Sequence, residues 1–280
     1  MKYGFVCTNY NNAHFTVTAV DSLVAGDEPP CRIVIVDNAS GADDVAILRA
    51  LAARVPVVDL VLNAENIGYF PGLNVGIRRL RALQTGLDYA VVGNNDLEFP
   101  TEFGRVLAAE MSSFQRYAVI LPDIVTLDGV HQNPHIVDGI SPLRELVYDA
   151  YYSNFVIAAL ITRATKTMGA LARRKDASRH HERRDVRGGI GACYVLTRLF
   201  LEEFGELAAP TFLMGEEYFL TRQLEERELT MRYEPALVIK HRCNGALDKL
   251  SSRKIWRFAQ VAHRLRRSYP DGGRLRPSPR

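Results

Sequence analysis

Short apolar runs that stop at polar turn residues recur along the first hundred positions. Tyr3–Cys7 stops at Thr8-Asn9-Tyr10-Asn11-Asn12, Arg32–Val36 at Asp37-Asn38-Ala39-Ser40-Gly41, Val57–Leu62 at Asn63, and Tyr89–Val92 at Gly93-Asn94-Asn95-Asp96. Runs that are continuous rather than alternating predict strands covered on both faces. Between them, apolar residues recur at helical spacing over His14–Ala25, Ala42–Arg54 and Gly72–Gln84. Strand and helix thus alternate four times within about 95 residues, the signature of βαβ units. The expectation is an α/β fold with a mostly parallel central sheet flanked by helices. Its polar loops gather at the carboxyl ends of the strands, the edge where such sheets bind ligands.

Beyond Pro100 the pattern loosens into a smaller mixed region. Thr101–Met111 predicts a helix capped by Thr101, Tyr117–Leu121 a strand ended by Pro122-Asp123, and Thr126–Val130 a hairpin around Asp128-Gly129. Ser141–Leu171 carries Leu143, Leu146, Val147, Tyr151, Phe155, Val156, Ala159 and Leu160 near helical spacing. It reads first as a core helix, with an acceptor-binding arm or a membrane-facing element as alternatives. Ala172–Gly189, with seven cationic residues and almost nothing apolar, reads as a mobile, solvated loop able to receive the phosphates of an anionic acceptor. Its His180 and His181 read as exposed side chains, because no third ligand stands at metal spacing.

A strand at Gly191–Leu196, a helix at Arg198–Phe204 ending in Gly205, and a helix at Tyr218–Glu228 follow. Two extended pieces, Thr230–Glu234 and Ala236–Lys240, flank Pro235. Last come an amphipathic basic helix at Lys254–Arg267 and a tail from Asp271 read as disordered. The helix suits either docking on anionic lipid, a possible peripheral membrane contact, or packing on the chain's own core. The organisation expected is one domain over 1–245, with a nucleotide-binding half at 1–100, an acceptor half at 101–245 containing the loop 172–189, and a C-terminal appendage at 246–280.

Composition narrows the function classes. At 280 residues and 47% hydrophobic content the chain can bury a sizeable core, and a formal charge of +3 is too small to point to nucleic acid. Cys7, Cys31, Cys193 and Cys243 are far apart, without zinc spacing, and fit a reducing, cytoplasmic setting. The N-terminal stretch lacks the apolar core of a signal peptide, and no window reaches about 18 uninterrupted apolar residues.

The loops differ in chemistry. Asp37, directly after a buried strand, can accept hydrogen bonds from a base or ribose or can cap the next helix. The glycines of Asn66-Ile67-Gly68-Tyr69-Phe70-Pro71-Gly72-Leu73-Asn74 allow close approach to a sugar or phosphate, or simply turn the chain into a helix. Asp96, just past a strand end, can hold a divalent cation against a diphosphate or can be a solvated turn residue. Glu216 and Glu217 sit at a helix mouth, where the dipole stabilises carboxylates and where one of them could serve as a general base. His241, just beyond an apolar strand, is either a ligand or a satisfied histidine.

Six pieces in order, CTNYNN, IVIVDNASGADD, NIGYFPGLNVGI, VVGNNDLEFP, GGIGACYVLTR and FLMGEEYFLTRQLEERELTMRYEPALVIKH, resemble the family 2 inverting glycosyltransferases of the GT-A fold, notably rhamnosyltransferase-like members. The likeness covers roughly residues 3 to 245. It implies a UDP- or dTDP-linked sugar donor, a hydroxyl of a glycan or lipid-linked saccharide as acceptor, and a role in bacterial surface polysaccharide synthesis. By the same resemblance Thr8, Asn9 and Asp37 hold base and ribose, while Asn66, Gly68, Asn74, Asn94 and Asn95 line the nucleotide and sugar. Asp96 is similar to the last acid of the family's DxD signature, with Asn94 in place of the first acid, and with His241 it would hold Mg²⁺ or Mn²⁺. Glu216-Glu217 stands where the family has Glu-Asp, which implies Glu217 as catalytic base with Glu216 as its alternate. A sugar nucleotidyltransferase is disfavoured because Thr8–Asn12 has no Gly, Lys or Arg. A catalytically silent sugar-nucleotide-binding or assembly subunit is the remaining alternative.

Overall fold

A computed structural model describes residues 1–134, 142–167, 179–243 and 251–269. In chain order the first half is β1 (Tyr3–Asn9), α1 (Ala13–Val24), β2 (Arg32–Asp37), α2 (Ala42–Arg54), β3 (Val58–Leu62), α3 (Tyr69–Leu83) and β4 (Tyr89–Gly93). These strands are mutually parallel in the order β3-β2-β1-β4. The continuous apolar runs supply two cores, one on each face of the sheet. Phe5, Cys7, Ile33, Ile35 and Val91 pack with Ala13, Val20, Leu48 and Leu51 of α1 and α2, while Val6, Val34, Val36 and Val92 pack with Leu73, Ile77 and Leu80 of α3. Each of the buried Val, Leu, Ile and Phe side chains among them contributes roughly 1.5–3 kcal/mol by leaving water.

The second half adds β5 (Leu97–Glu98), α4 (Phe103–Ala109), α5 (Met111–Phe114), β6 (Val119–Thr126), α6 (Pro142–Ser153), α7 (Phe155–Thr167), β7 (Arg184–Val186), β8 (Cys193–Thr197), α8 (Arg198–Glu203), α9 (Glu216–Glu225), β9 (Met231–His241) and α10 (Ser252–Arg267). The nine described strands form one sheet, β3-β2-β1-β4-β8-β6-β9-β5, with β7 on β9. β8 runs antiparallel to both β4 and β6, and β9 returns parallel to β6. Six strands therefore share one direction, and the sheet is mostly parallel.

Several boundaries differ from those the sequence suggests. Pro122 does not end β6, nor does Pro235 split β9: the two strands pair from Val119↔Met231 to Thr126↔His241, with a register slip between Pro122 and Asp123 that leaves Pro235 unpaired. Prolines are tolerated at such irregularities because no ladder donor is needed there. Thr101 is not a cap; α4 starts two residues later, with Phe103 N donating to Pro100 O at 3.0 Å.

The segment expected as one core helix is two helices with a break at Asn154, and Leu143, Leu146, Val147, Val156, Ile157 and Leu160 are all exposed. What α6 buries is acid. Glu145 makes a two-pronged ion pair with Arg266 at 2.6 Å on both arms, and Asp149 bonds His263 at 2.8 Å and Arg267 at 3.0 Å. Part of the apolar side of α10 is covered, since Ala262 and Leu265 pack with Tyr218 and Phe219 of α9, while Val261 stays exposed. Residues 168–178, 244–250 and 270–280, including part of the basic loop and the tail from Asp271, lie outside the described residues.

Candidate functional site

At the carboxyl edge of the first four strands, the expected polar residues converge, and most of them bond one another. The Asn9 amide donates to Asp37 Oδ1 at 2.9 Å and accepts from Thr16 Oγ1 at 2.9 Å and Asn95 Nδ2 at 3.0 Å. Asn95 also donates to Asn12 Oδ1 at 2.8 Å, and Ser40 N donates to Asp37 Oδ2 at 2.9 Å. Asn9, Thr16, Asp37 and Asn95 are buried. Both Asp37 oxygens are thus already engaged, and the group forms the floor of the edge; Thr8, half-buried at the end of β1, lies at its surface.

The loop before α3 is held by backbone geometry. Gly68 has φ +99, and a Cβ there would lie 2.1 Å from Phe212 O, so only glycine lets this turn meet the 212 loop. Asn66 Oδ1 accepts from Gly68 N at 3.0 Å, and Phe212 O accepts from Tyr69 N at 3.0 Å. Asn74 is buried and meets the backbone of Leu207 as donor and acceptor at 2.8 Å each, so it clamps α3 to the 205–212 segment.

The turn after β4 meets the end of β9. Asp96 is 2% exposed, and its Oδ1 stands 3.3 Å from His241 Nε2, with the Asn94 amide nitrogen also 3.3 Å from that ring atom. Gln132 Oε1 lies 2.7 Å from His241 Nδ1. A proton on Nδ1 donated to Gln132 assigns the lone pair to Nε2, on the Asp96 side. Two ligand atoms each about 2.1 Å from one octahedral cation are about 3 Å apart. Asp96 and His241 are therefore spaced as neighbours on one hard divalent ion, and their oxygen–nitrogen chemistry fits Mg²⁺ or Mn²⁺.

The helix mouth at α9 lies against the same turn. Asn94 N donates to Ala192 O at 2.8 Å, and Gly191 N donates to Glu217 Oε1 at 3.2 Å, so one short segment before β8 touches both. Tyr69 donates to Gly191 O at 2.7 Å, and its hydroxyl is held protonated well above its usual range by burial and by the charges of Glu216, Asp96 and Glu217. These carboxylates share one neighbourhood.

Gly215, at φ +83, turns the chain so that both glutamates open α9. Glu216 folds back to accept from Met214 N at 2.8 Å, and its carboxyl is pushed up to about 7 by burial and then by Glu217. Burial also raises Glu217, which is partly exposed and accepts from Gly191 N through Oε1. A site of this kind sets a carboxylate of raised proton affinity beside a cation-binding pair. Tyr69, Gln132 and Gly191 escaped the sequence reading because nothing in their spacing relates them to residues more than a hundred positions away.

The described part of the basic loop is not a free cationic patch. Arg179 and Arg184 pair with Glu182, Arg183 with Glu110 and Glu234, and Arg187 with Glu225. His181 is exposed, as expected, whereas His180 is half-buried. Its ring stacks on His131 with centroids 3.5 Å apart, and His131 Nδ1 lies 2.8 Å from buried Asp123, so that three potential ligand atoms fall within 4.8 Å. The rings are nearly parallel, at 20°, so their in-plane lone pairs run side by side rather than converging. As it stands this is an Asp–His pair capped by a second ring.

Residues 5–173 match the profile of Glycosyl transferase family 2. Over 153 residues the chain is 27% identical to the succinoglycan biosynthesis protein ExoO of Rhizobium meliloti (strain 1021), a span of 55% of this chain and 42% of that protein. This chain thus aligns with less than half of the relative's length. Among solved structures, GalNAc-T7 with UDP, GalNAc and Mn²⁺ superposes over 87% of this chain and 44% of its own, with a TM-score of 0.57 and 13% identity. S. aureus TarS residues 1–349 superpose over 98% of this chain and 74% of its own, at 0.54 and 12%. These likenesses identify the sheet and its flanking helices as the GT-A fold.

Proposed function

The chain belongs to glycosyl transferase family 2, and from that premise we propose that it transfers a sugar, with inversion, from a UDP- or dTDP-linked donor to a hydroxyl of a glycan or lipid-linked saccharide. The rhamnosyltransferase-like branch and a bacterial surface polysaccharide are part of this reading, and the likeness to a succinoglycan biosynthesis protein supports the latter. The observation that carries it is the meeting of Asp96–His241 with Glu217 across Asn94, Ala192 and Gly191.

Glu217 is the base. Its partly exposed carboxylate takes the proton from the acceptor hydroxyl as that oxygen bonds the anomeric carbon on the face opposite the phosphate. The bond from carbon to phosphate oxygen breaks, and its electron pair leaves with the diphosphate. Asp96 and His241 would hold Mg²⁺ or Mn²⁺, which when bound would supply positive charge beside the departing diphosphate; Mn²⁺ accompanies UDP in the GalNAc-T7 structure. Gln132 fixes the His241 ring, and Tyr69 holds the Gly191 carbonyl so that the neighbouring N–H orients Glu217. Thr8, the backbone at Gly68, and Asn66 are the surface left for base, ribose and sugar above the floor made by Asn9, Asp37 and Asn95.

Glu217→Gln tests the assignment: donor affinity by calorimetry stays within about twofold, while transfer falls about 10²–10⁴-fold. Near-normal turnover in the variant removes Glu217 from the role. A wild-type chain that binds nucleotide sugars yet neither transfers nor hydrolyses any of them is instead a silent binding subunit.

A further inference from the structure

Helices α6 and α7 are amphipathic the wrong way round for a protein surface. On α6 the positions that face α10 are Glu145, Asp149 and Tyr152, and the opposite stripe at i, i+3, i+4 and i+7 spacing is Leu143, Leu146, Val147 and Ala150. Leu143 is 72% exposed, Leu146 65%, and on α7 Val156 is 64% and Leu160 63% exposed. Apolar stripes on two successive helices make one contiguous patch, which on a monomer marks an interaction surface.

The rim of this patch chooses between partners. Arg253 stands 5.7 Å over the ring of Phe155, the first residue of α7, and Trp256 packs on the same ring at 5.5 Å while donating to Tyr151 O at 3.2 Å. From there α10 continues with exposed Lys254, Arg257 and Arg264 and carries no acid. An apolar face beside an aromatic cluster and a cationic stripe has the chemistry of an interfacial element, whereas a second copy of the chain would set the same cations against each other. The helices, of 12 and 13 residues, are too short to span, and no described helix is long and apolar enough to cross a membrane.

We infer that the α6–α7 hairpin, with the cationic stripe of α10, docks this protein on an anionic lipid bilayer, the leucines entering the headgroup boundary. The surface is read from these helices alone and stands whether or not the sugar-transfer reading does. Its position suits that reading: Arg266, which grips Glu145, also lies 5.6 Å from the ring of Tyr218, the neighbour of Glu217, and a Cβ on Gly215 would meet Ala262 at 2.9 Å. Docking would thus bring the mouth of α9 close to acceptors carried on lipid.

The test is flotation of the full chain with phosphatidylcholine vesicles containing about one third phosphatidylglycerol or none. Wild type should float with the anionic vesicles and lose most of that binding without phosphatidylglycerol. Leu146→Ser with Leu160→Ser should weaken binding at least about tenfold. Arg257→Ser with Arg264→Ser should weaken it and flatten its salt dependence. All four changes are at exposed positions, so an unchanged melting temperature shows that the fold is kept. Wild type that stays with the unbound fraction overturns the inference. So does a concentration-dependent dimer, seen by sedimentation, that the two serines abolish.

Discussion

At the scale of single residues the most informative group is Glu216. An acid whose folded pKa is raised, here to about 7, adds stability below its unfolded pKa, and that contribution is lost as pH rises through the folded value. Wild type should therefore weaken between about pH 4.5 and 7 relative to a neutral isostere. Glu216→Gln keeps an oxygen for Met214 N, so it should stabilise the chain by on the order of 1–3 kcal/mol at pH 8 and by little at pH 4. Urea titrations at both pH values check this; an equal change at both excludes the buried charge as its cause. The residue types at the edge were legible in the sequence, since Asn9, Asp37, Asn95, Asp96 and Glu217 do gather there. Their division of labour was not. Asn9 and Asp37 follow different strands, and only parallel pairing at Asn9↔Asp37 brings them into bonding distance and turns them into floor. The clamp made by Asn74 was hidden for a similar reason, because its partner Leu207 is 133 positions away.

At the scale of elements, periodicity announces a helix but not which side of it is covered. The run over α6 and α7 has the apolar spacing of a core helix, yet the long-range partner that arrives is α10, whose Arg266, Arg267 and His263 call for acids. The Glu145–Arg266 pair is nearly buried, with side chains 11% and 8% exposed. Removing one member of such a pair leaves an uncompensated charge and typically costs about 3–5 kcal/mol. Glu145→Ala should accordingly detach α6 from α10 and lower the melting temperature. Glu145→Ala with Arg266→Met should recover much of the loss, because no charge is then stranded. A double variant no more stable than Glu145→Ala alone would show that the pair is not the latch. The same blindness to partners hid β6 and β9, where Pro122 and Pro235 read as strand ends although the bulge accommodates both.

For the molecule as a whole, the first half was legible because βαβ units are local: each strand pairs with neighbours supplied within a few dozen residues, and continuous apolar runs require cover on both faces. The site needs the other kind of contact. β8 inserts between β4 and β6 and brings Ala192 to Asn94, which is what closes the distance between Asp96 and Glu217. Stability should be distributed accordingly. Phe5, Val6, Val91, Val92 and Val195 are fully buried in the central strands, whereas in α6 and α7 the described buried residues are Glu145 and Ala158. Amides of β1, β4 and β8 should exchange with solvent only through global unfolding, and those of α6 and α7 through local opening that costs at least about 3 kcal/mol less. Native-state hydrogen exchange read by mass spectrometry measures both. If the bilayer covers α6 and α7, anionic vesicles should slow exchange in these helices and leave β1 unchanged. Protection of α6 and α7 equal to that of the sheet, without vesicles, would mean that the hairpin is already part of the core and has no face to offer.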